Sequence, residues 1–218
     1  MEEASSKMAR YFGAIIENRD YITTQHARRV GMISYVLLLK LKASQHNYNL
    51  TDQDVRMISS AATLHDVGKL RLPDKIINKA SRLTDAEYEI YQSHTYKGKK
   101  MFDDVMKHMS KNDPDREFFE CCGEICLFHH ERYFGDGYPE KKKGDEIPIG
   151  AQVVGLADAY EDALGDRLHK KAISRFEVYN MITSGECGSF SPELVKVFMD
   201  SRADLEQLLA KEDKDKKV

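Results

Sequence analysis

The sequence lacks the features that mark membrane, secreted and multidomain proteins. No apolar run among its 218 residues approaches the roughly 20 residues that a membrane-spanning helix requires. The start, Met1-Glu2-Glu3, does not have the basic and then apolar order of a secretion signal. There is no internal repeat and no linker long enough to divide the chain. We therefore expect a single cytoplasmic domain without a membrane partner.

The four cysteines do not have the spacing of a zinc site. Cys121, Cys122, Cys126 and Cys187 include no C-x-x-C pair. Three of them lie among apolar residues in one helical stretch, where buried and reduced thiols are expected. We assign no chemistry to them.

The chain also has little net charge. A formal charge of -3, with 41% hydrophobic and 32% charged residues, is typical of a protein with one sizeable core. It gives no general attraction to DNA, RNA or an anionic membrane. Any phosphate binding must therefore come from local cations.

Apolar residues recur at helical spacing, and strict alternation over the length of a strand is hard to find. Val30, Ile33 and Leu37 share one predicted helix face, and Val55 and Ile58 share another. The pattern predicts an all-α, single-domain fold.

Local signals place further helices and loops. The capping box at Thr84 predicts a helix that runs to about Lys97, and Pro114 begins a helix that reaches the paired histidines. Irregular chain is expected over 68–81 and 135–148, where Gly, Pro and charged residues cluster. We predict that these two loops form the rim of a pocket.

Seven side chains on five predicted helices are candidate metal ligands. They are His26, His65, Asp66, His94, His129, His130 and Asp158. A single histidine on an apolar face is more often a core residue, and we interpret His46, His108 and His169 in that way or as surface residues. Burying Asp66 and Asp158 beside several imidazoles is costly unless a cation compensates their charge. The set predicts two divalent metal ions, with positions open for water and substrate, and therefore hydrolysis.

These residues belong to a series of motifs that resembles the HD-GYP domain of the HD phosphohydrolase superfamily. The series is His65-Asp66-Val67-Gly68-Lys69 with Leu72-Pro73-Asp74, His94 with Gly98, His129-His130-Glu131-Arg132 with Gly137-Tyr138-Pro139, Ile147-Pro148, and Ala157-Asp158-Ala159-Tyr160. The likeness extends from about Arg19 to Met199. It divides the chain into a helical lead-in over 1–18, the phosphohydrolase domain over 19–200, and a polar helix end with a frayed tail over 201–218.

The resemblance implies a helical bundle around a binuclear metal site that hydrolyses cyclic dinucleotides, chiefly cyclic di-GMP in bacteria, to a linear dinucleotide or GMP. It implies that one metal is bound by His26, His65, Asp66 and Asp158, and the other by Asp66, His94, His129 and His130. Asp66 would then be the bridging and catalytic carboxylate. The resemblance also gives Lys69 a phosphate-binding and catalytic role and makes Arg167 and Lys170 a downstream basic pair that grips phosphate. Tyr138 ranks low among substrate contacts, because it is as often a packing residue.

General chemistry favours the same reaction. Two cations about 3.5 to 4 Å apart acidify a bridging water and neutralise phosphoryl oxygens, so that a bridging hydroxide attacks phosphorus. Five imidazoles and two carboxylates suit iron or manganese better than magnesium, with zinc or nickel as alternatives.

Several positions depart from the family pattern. Ile22 stands where three-metal members carry a glutamate, which favours two metals over three. Lys141, Lys142 and Lys143 follow Pro139 in place of the usual glycine and leucine. These lysines are either a solvated charge run or substrate contacts.

Other functions remain open at this point. The chain could be a weakly active sensor that binds a cyclic dinucleotide, an HD hydrolase of another nucleotide, or a purely structural helical protein. Control is expected from a separate regulatory protein, or from further domains if the chain is a fragment. The apolar residues Phe12, Ile15 and Ile16 offer a face for a homodimer.

Overall fold

The computed structural model describes residues 25–44, 48–165 and 173–215. Helices make up nearly all of the regular structure, and no strand occurs in these ranges. The helices are α1 (His26–Ala43), α2 (Asp52–Ala62), α3 (Asp74–Ile77), α4 (Asp85–Gln92), α5 (His94–Met106), α6 (Arg116–Phe128), α7 (Ile149–Leu164), α8 (Arg175–Ser184), α9 (Pro192–Asp200) and α10 (Arg202–Asp215). Short 3₁₀ turns occupy Val67–Arg71 and Gly144–Glu146. The predicted all-α fold is confirmed.

Helix starts follow the capping signals in the sequence. The hydroxyls of Thr51, Thr84 and Ser174 accept from a backbone N–H in the first turn, and an acidic residue three positions later completes each capping box. Ser191 caps α9 in a similar way, with a proline directly after it.

The core is organised around α7. Buried residues lie on all sides of this helix, which packs against α1, α2, α6 and α8. Val30, Ile33 and Leu37 of α1 are fully buried, as the helical spacing predicts. The ring of Tyr160, on α7, lies 5.0 Å from the ring of Phe198, on α9, in an aromatic cluster. Because α7 is held on several sides, it is a rigid support for the side chains it carries.

Two predicted elements differ from the structure. The helix predicted from Thr84 to about Lys97 is interrupted at Ser93, whose hydroxyl donates to the carbonyl of Ile90 at 2.5 Å and competes with helical hydrogen bonding. The loop predicted over 68–81 contains most of a 3₁₀ turn and the short helix α3. Irregular chain does dominate 135–148, apart from the turn at Gly144–Glu146.

The C-terminal helix extends farther than the predicted frayed tail allows. It continues to Asp215, and the buried carboxylate of Glu212 accepts two N–H groups from Arg28 at 2.8 and 3.1 Å. Leu205 and Leu209 of the same helix are buried in the core. The domain boundaries at residues 19 and 200 stay predictions.

The described cysteines are free thiols. Cys122 and Cys126 are buried in α6, Cys121 lies half-buried beside them, and Cys187 is half-buried. Burial raises the pKa of Cys121 to about 12 and that of Cys122 and Cys126 well above the usual value. No helix in the described ranges is both long and apolar enough to cross a bilayer.

Candidate metal centre

The seven predicted ligands lie on five segments that meet beside α7. His26 begins α1, His94 begins α5, and Asp158 lies within α7. His65 and His129 were predicted on helix faces, and that placement is wrong. His65 and Asp66 lie in the turn after α2, and His129 and His130 lie in the turn after α6. In a continuous helix, two consecutive side chains point about 100° apart. In these turns, the two consecutive side chains face the same point.

Asp66 lies between two sets of imidazoles. Its Oδ1 atom is 3.3 Å from Nε2 of His94 and 3.7 Å from Nε2 of His129. Its Oδ2 atom is 3.3 Å from Nε2 of His65. His130 offers a further ligand atom within 4.8 Å of those of Asp66, His94 and His129. One carboxylate therefore faces both halves of the cluster.

Asp158 completes the half that contains α1. Its Oδ1 atom is 3.2 Å from Nε2 of His26 and 3.5 Å from Nε2 of His65. The two Nε2 atoms are themselves 3.4 Å apart. Such close approach of nitrogen atoms and carboxylate oxygens is typical of ligands that surround a cation.

Three imidazoles are oriented by carbonyl groups of the preceding helical turn. The Nδ1 to carbonyl oxygen distances are 2.8 Å for His65 and Ala62, 2.6 Å for His94 and Tyr91, and 2.9 Å for His129 and Ile125. A carbonyl can only accept, so Nδ1 carries the proton in each ring. In the neutral form of each ring, Nε2 then keeps a lone pair that can bind a metal at the centre.

The fit to a cation rests on buried polar atoms that lack a partner. Asp66 Oδ1, His94 Nε2 and His129 Nε2 are buried and form no hydrogen bond within the part of the chain that the structure describes. All three atoms point at the same place. An unsatisfied buried polar atom is costly, and a divalent cation would satisfy all three together. The residues present therefore fit a metal.

The charged side chains in the cluster shift one another's pKa values. Burial alone would raise the pKa of Asp66, but the charges of Lys69 and His65 outweigh it and hold this pKa well below its usual value. Burial likewise acts to raise the pKa of Asp158, and hydrogen bonds from His26 and His65 hold it well below the usual range. Both carboxylates are therefore anions that need compensation.

The imidazoles divide into two groups. Burial lowers the pKa of His94, His129 and His130, and the pKa of His129 falls to about 3. These rings are neutral near neutral pH, which is the form that binds metal. Burial also acts to lower the pKa of His65, but the charge of Asp66 and hydrogen bonding raise it to about 9.

Two glycines allow the segments to approach closely. A Cβ atom on Gly68 would lie 1.9 Å from the carbonyl oxygen of His94, so the turn after Asp66 packs directly on α5. A Cβ atom on Gly155 would lie 2.3 Å from the carbonyl oxygen of His129. Any larger residue at either position would move candidate ligands apart.

The sequence prediction missed two buried carboxylates around the centre. Glu161 Oε2 accepts from Nδ1 of His26 at 2.5 Å and lies three residues after Asp158 on α7. Glu131 accepts from the backbone N–H groups of Glu140 at 2.7 Å and Lys142 at 3.1 Å, and so anchors the loop that follows. The helical spacing from Asp158 could have indicated Glu161. No local signal connects Glu131 to a loop nine residues away.

The predicted substrate residues are only partly within the described ranges. Lys69 Nζ is 2.6 Å from Asp66 Oδ2, beside the cluster. The Tyr138 ring stacks on His130 with 4.5 Å between centroids. Arg167 and Lys170 lie outside the described residues, as does Ile22.

The three consecutive lysines have different surroundings. Lys142 Nζ lies 5.0 Å above the Phe128 ring and 3.4 Å from Glu140. Lys143 donates its backbone N–H to Glu146. Lys141 alone among the three lines a cavity beside Tyr138.

Comparison with known proteins gives consistent results. The profile of the family described as "HD domain" matches residues 10–188. The chain is 32% identical to a cyclic di-GMP phosphodiesterase of Thermotoga maritima over 90% of this chain and 49% of the relative. It is 31% identical to the cyclic di-GMP phosphodiesterase response regulator RpfG of Xanthomonas campestris pv. campestris over 94% of this chain and 49% of that protein.

A third relative has a different substrate in its name. The 3'3'-cGAMP-specific phosphodiesterase 2 of Vibrio cholerae is 29% identical over 92% of this chain and 35% of its own length. The chain thus spans between about a third and a half of the length of these relatives.

A solved structure has the same fold. It is Bd1817, an HDG"Y"P protein from Bdellovibrio bacteriovorus, with a TM-score of 0.58 and 16% identity over 89% of this chain and 61% of that one. The resemblance to HD-GYP domains inferred from the motifs is confirmed. The chain belongs to the HD-domain family.

Proposed function

We propose that this chain is a metal-dependent phosphodiesterase that hydrolyses a cyclic dinucleotide, with cyclic di-GMP as the favoured substrate. The observation that carries the proposal is the convergence of three unsatisfied buried atoms, Asp66 Oδ1, His94 Nε2 and His129 Nε2, on one point. The names of the similar phosphodiesterases support a cyclic dinucleotide as the substrate class.

Two divalent ions match the arrangement of the ligands. His26, His65, Asp66 and Asp158 would hold one, and Asp66, His94, His129 and His130 would hold the other. Asp66 has one oxygen atom toward each half, as a bridging ligand requires. The mixture of imidazoles and carboxylates favours iron or manganese. When bound, such ions acidify water and neutralise charge on phosphoryl oxygens.

The remaining side chains bind and orient the substrate. Lys69 lies at the edge of the cluster, where its ammonium can contact a phosphate oxygen while it stays paired with Asp66. Arg167 and Lys170 are proposed to bind the second phosphate of the ring, because they match the basic pair of the family that they resemble. Tyr138, whose ring covers His130, limits access of water to that side of the centre.

The test combines metal content with product analysis. Protein purified without oxygen is expected to contain close to two equivalents of iron or manganese by elemental analysis. The same protein is expected to convert cyclic di-GMP to linear dinucleotide or GMP, as resolved by chromatography. Retention of the nucleotide without product would instead indicate a sensor. Absence of metal together with absence of cleavage would overturn the proposal.

A second substrate is favoured by one specific observation. The similarity to 3'3'-cGAMP-specific phosphodiesterase 2 is nearly as high as that to the cyclic di-GMP enzymes. The chromatographic assay should therefore include 3'3'-cGAMP at the same concentration. The ratio of kcat/KM for the two substrates decides between them.

A further inference from the structure

A cavity lies beside Tyr138, next to the candidate metal centre. It has a volume of about 590 Å³, within the range of roughly 300 to 1,000 Å³ that small-molecule sites occupy. Its walls come from α4, α5 and the loop that contains Gly137-Tyr138-Pro139. Ser93 lines it, and the next residue, His94, is a candidate ligand. Tyr138, which lines the cavity and stacks on His130, connects the cavity with the candidate metal centre.

Aromatic rings form much of the cavity surface. Tyr88 is 46% exposed and Tyr96 is 50% exposed, so both rings present a face to a molecule in the cavity. The ring of Tyr138 lies 6.3 Å from that of Tyr88, in an edge-to-face arrangement. Exposed aromatic faces beside a phosphodiester site are the surfaces on which nucleobases stack.

Three polar side chains on the rim are available to a ligand. The side chains of Glu89, Gln92 and Lys141 line the cavity and form no hydrogen bond or ion pair with another described residue. Lys141 has a left-handed backbone with φ of 56°, and Glu131 holds this turn through the N–H groups on either side of it. The backbone of Lys141 is therefore anchored on both sides at the edge of the cavity.

We propose that this cavity binds one guanine base of the cyclic dinucleotide, with stacking on Tyr96 and recognition by Glu89. The proposal rests on the function proposed above, because it requires a cyclic dinucleotide at the metal centre. A carboxylate accepts two hydrogen bonds, and guanine presents two adjacent donors, N1–H and the N2 amino group. Adenine presents one donor and one acceptor on the same edge, which a carboxylate matches poorly.

The chemistry of Glu89 leads to a specificity test. Glu89→Gln replaces one acceptor with an amide donor, which suits adenine and opposes guanine. The substrates are cyclic di-GMP, 3'3'-cGAMP and cyclic di-AMP, with bis(p-nitrophenyl) phosphate as a reference that has no base. We expect kcat/KM for cyclic di-GMP, divided by that for the reference, to fall about tenfold. The same ratio for cyclic di-AMP should rise.

A matched control separates charge from recognition. Glu117→Gln makes the same chemical change on α6, away from this cavity, and should leave all substrate ratios as in the wild type. An equal fall in kcat/KM for all substrates, the reference included, would mean that Glu89 acts on the metal centre or the fold. That result would overturn the assignment.

The stacking surface is tested separately. Tyr96→Ala should raise KM for cyclic di-GMP about tenfold through loss of stacking, with little change in kcat. Tyr96→Phe keeps the ring and should restore KM. Because Tyr96 is half-exposed, neither change removes core packing.

The outcomes distinguish this inference from the proposed function. If the wild type cleaves no cyclic dinucleotide, the proposed function fails and the base site falls with it. If it does cleave them, but Glu89→Gln leaves the guanine to adenine ratio unchanged, the base site is wrong while the phosphodiesterase stands. A changed ratio together with an increased KM in Tyr96→Ala supports both.

Discussion

At the scale of single residues, Asp66 has the most demanding position in the molecule. Its two oxygen atoms face different imidazoles, and Lys69 approaches one of them to 2.6 Å. Its Oδ1 atom is buried without a hydrogen-bond partner among the described residues. A buried carboxylate is tolerated when a cation compensates its charge. Substitution of Asp66 should therefore lower metal binding more than it lowers the stability of the fold.

Asp66→Ala is expected to abolish turnover and to lower bound metal, because one ligand is lost from each half of the cluster. Elemental analysis and the cleavage assay measure the two effects. Asp104→Asn removes a carboxylate from the surface of α5 and should leave both values as in the wild type. Equal metal content in wild type and Asp66→Ala would contradict the bridging role.

Glu161 acts through His26, since its carboxylate accepts from Nδ1 at 2.5 Å and orients the ring. Glu161→Gln removes the negative charge of this partner and should weaken metal binding by about 10- to 100-fold, as is usual when the partner of a ligating histidine is mutated. Competition with a chromophoric chelator measures the affinity directly and does not depend on turnover. Glu117→Gln serves as the control, and an affinity unchanged in both variants would exclude the positioning role.

At the scale of secondary-structure elements, α4 differs from its neighbours because none of its residues is buried. The capping box at Thr84 holds its first turn, and the Tyr91 ring near its end contacts Lys69 and His94. The same helix carries Tyr88 and Glu89 of the proposed base site. We therefore expect the local stability of α4 to affect substrate binding more than it affects folding of the domain.

Thr84→Ala should loosen α4 without unfolding the domain. Loss of such a cap costs about 1 kcal/mol, which corresponds to a factor of about 5 in local opening. Amide hydrogen exchange within α4 should accelerate by that factor, while amides of α7 keep their protection. Thr51→Ala removes the equivalent cap from α2, whose Val55 and Ile58 are in the core, and should lower global stability instead. Faster exchange throughout the molecule in Thr84→Ala would contradict this division.

The elements also show what the sequence could predict. Helical periodicity and capping boxes identify α1, α2 and α4, because these signals are local. The placement of His65 and His129 in turns could not be predicted in the same way. It depends on Gly68 and Gly155 bringing distant backbones together, and a one-dimensional pattern does not contain such contacts. Glu161 was missed because its role appears only when His26 lies next to α7.

At the scale of the whole molecule, the candidate ligands join segments that are far apart in sequence. His26 and Asp158 are 132 positions apart along the chain, yet their ligand atoms approach to 3.2 Å. Without metal, folding removes two carboxylates and several imidazoles from water, and this desolvation opposes folding. Bound metal should therefore stabilise the native state and not only complete the active site.

Metal removal tests this coupling directly. A ligand that binds only the folded state at 100 times its Kd stabilises it by about 2.7 kcal/mol. For a chain of this size, that corresponds to an increase in Tm of roughly 5 to 10 °C. Thermal unfolding of chelator-treated protein, before and after addition of manganese, measures the shift.

The control is the variant that lacks the shared carboxylate. Asp66→Ala should show a much smaller shift, because neither half of the cluster keeps its full set of ligands. Asp104→Asn should shift as the wild type does, since its carboxylate pairs with surface lysines. If manganese raised the Tm of all three proteins equally, the stabilisation would come from metal bound elsewhere. The five segments would then be held together by packing alone.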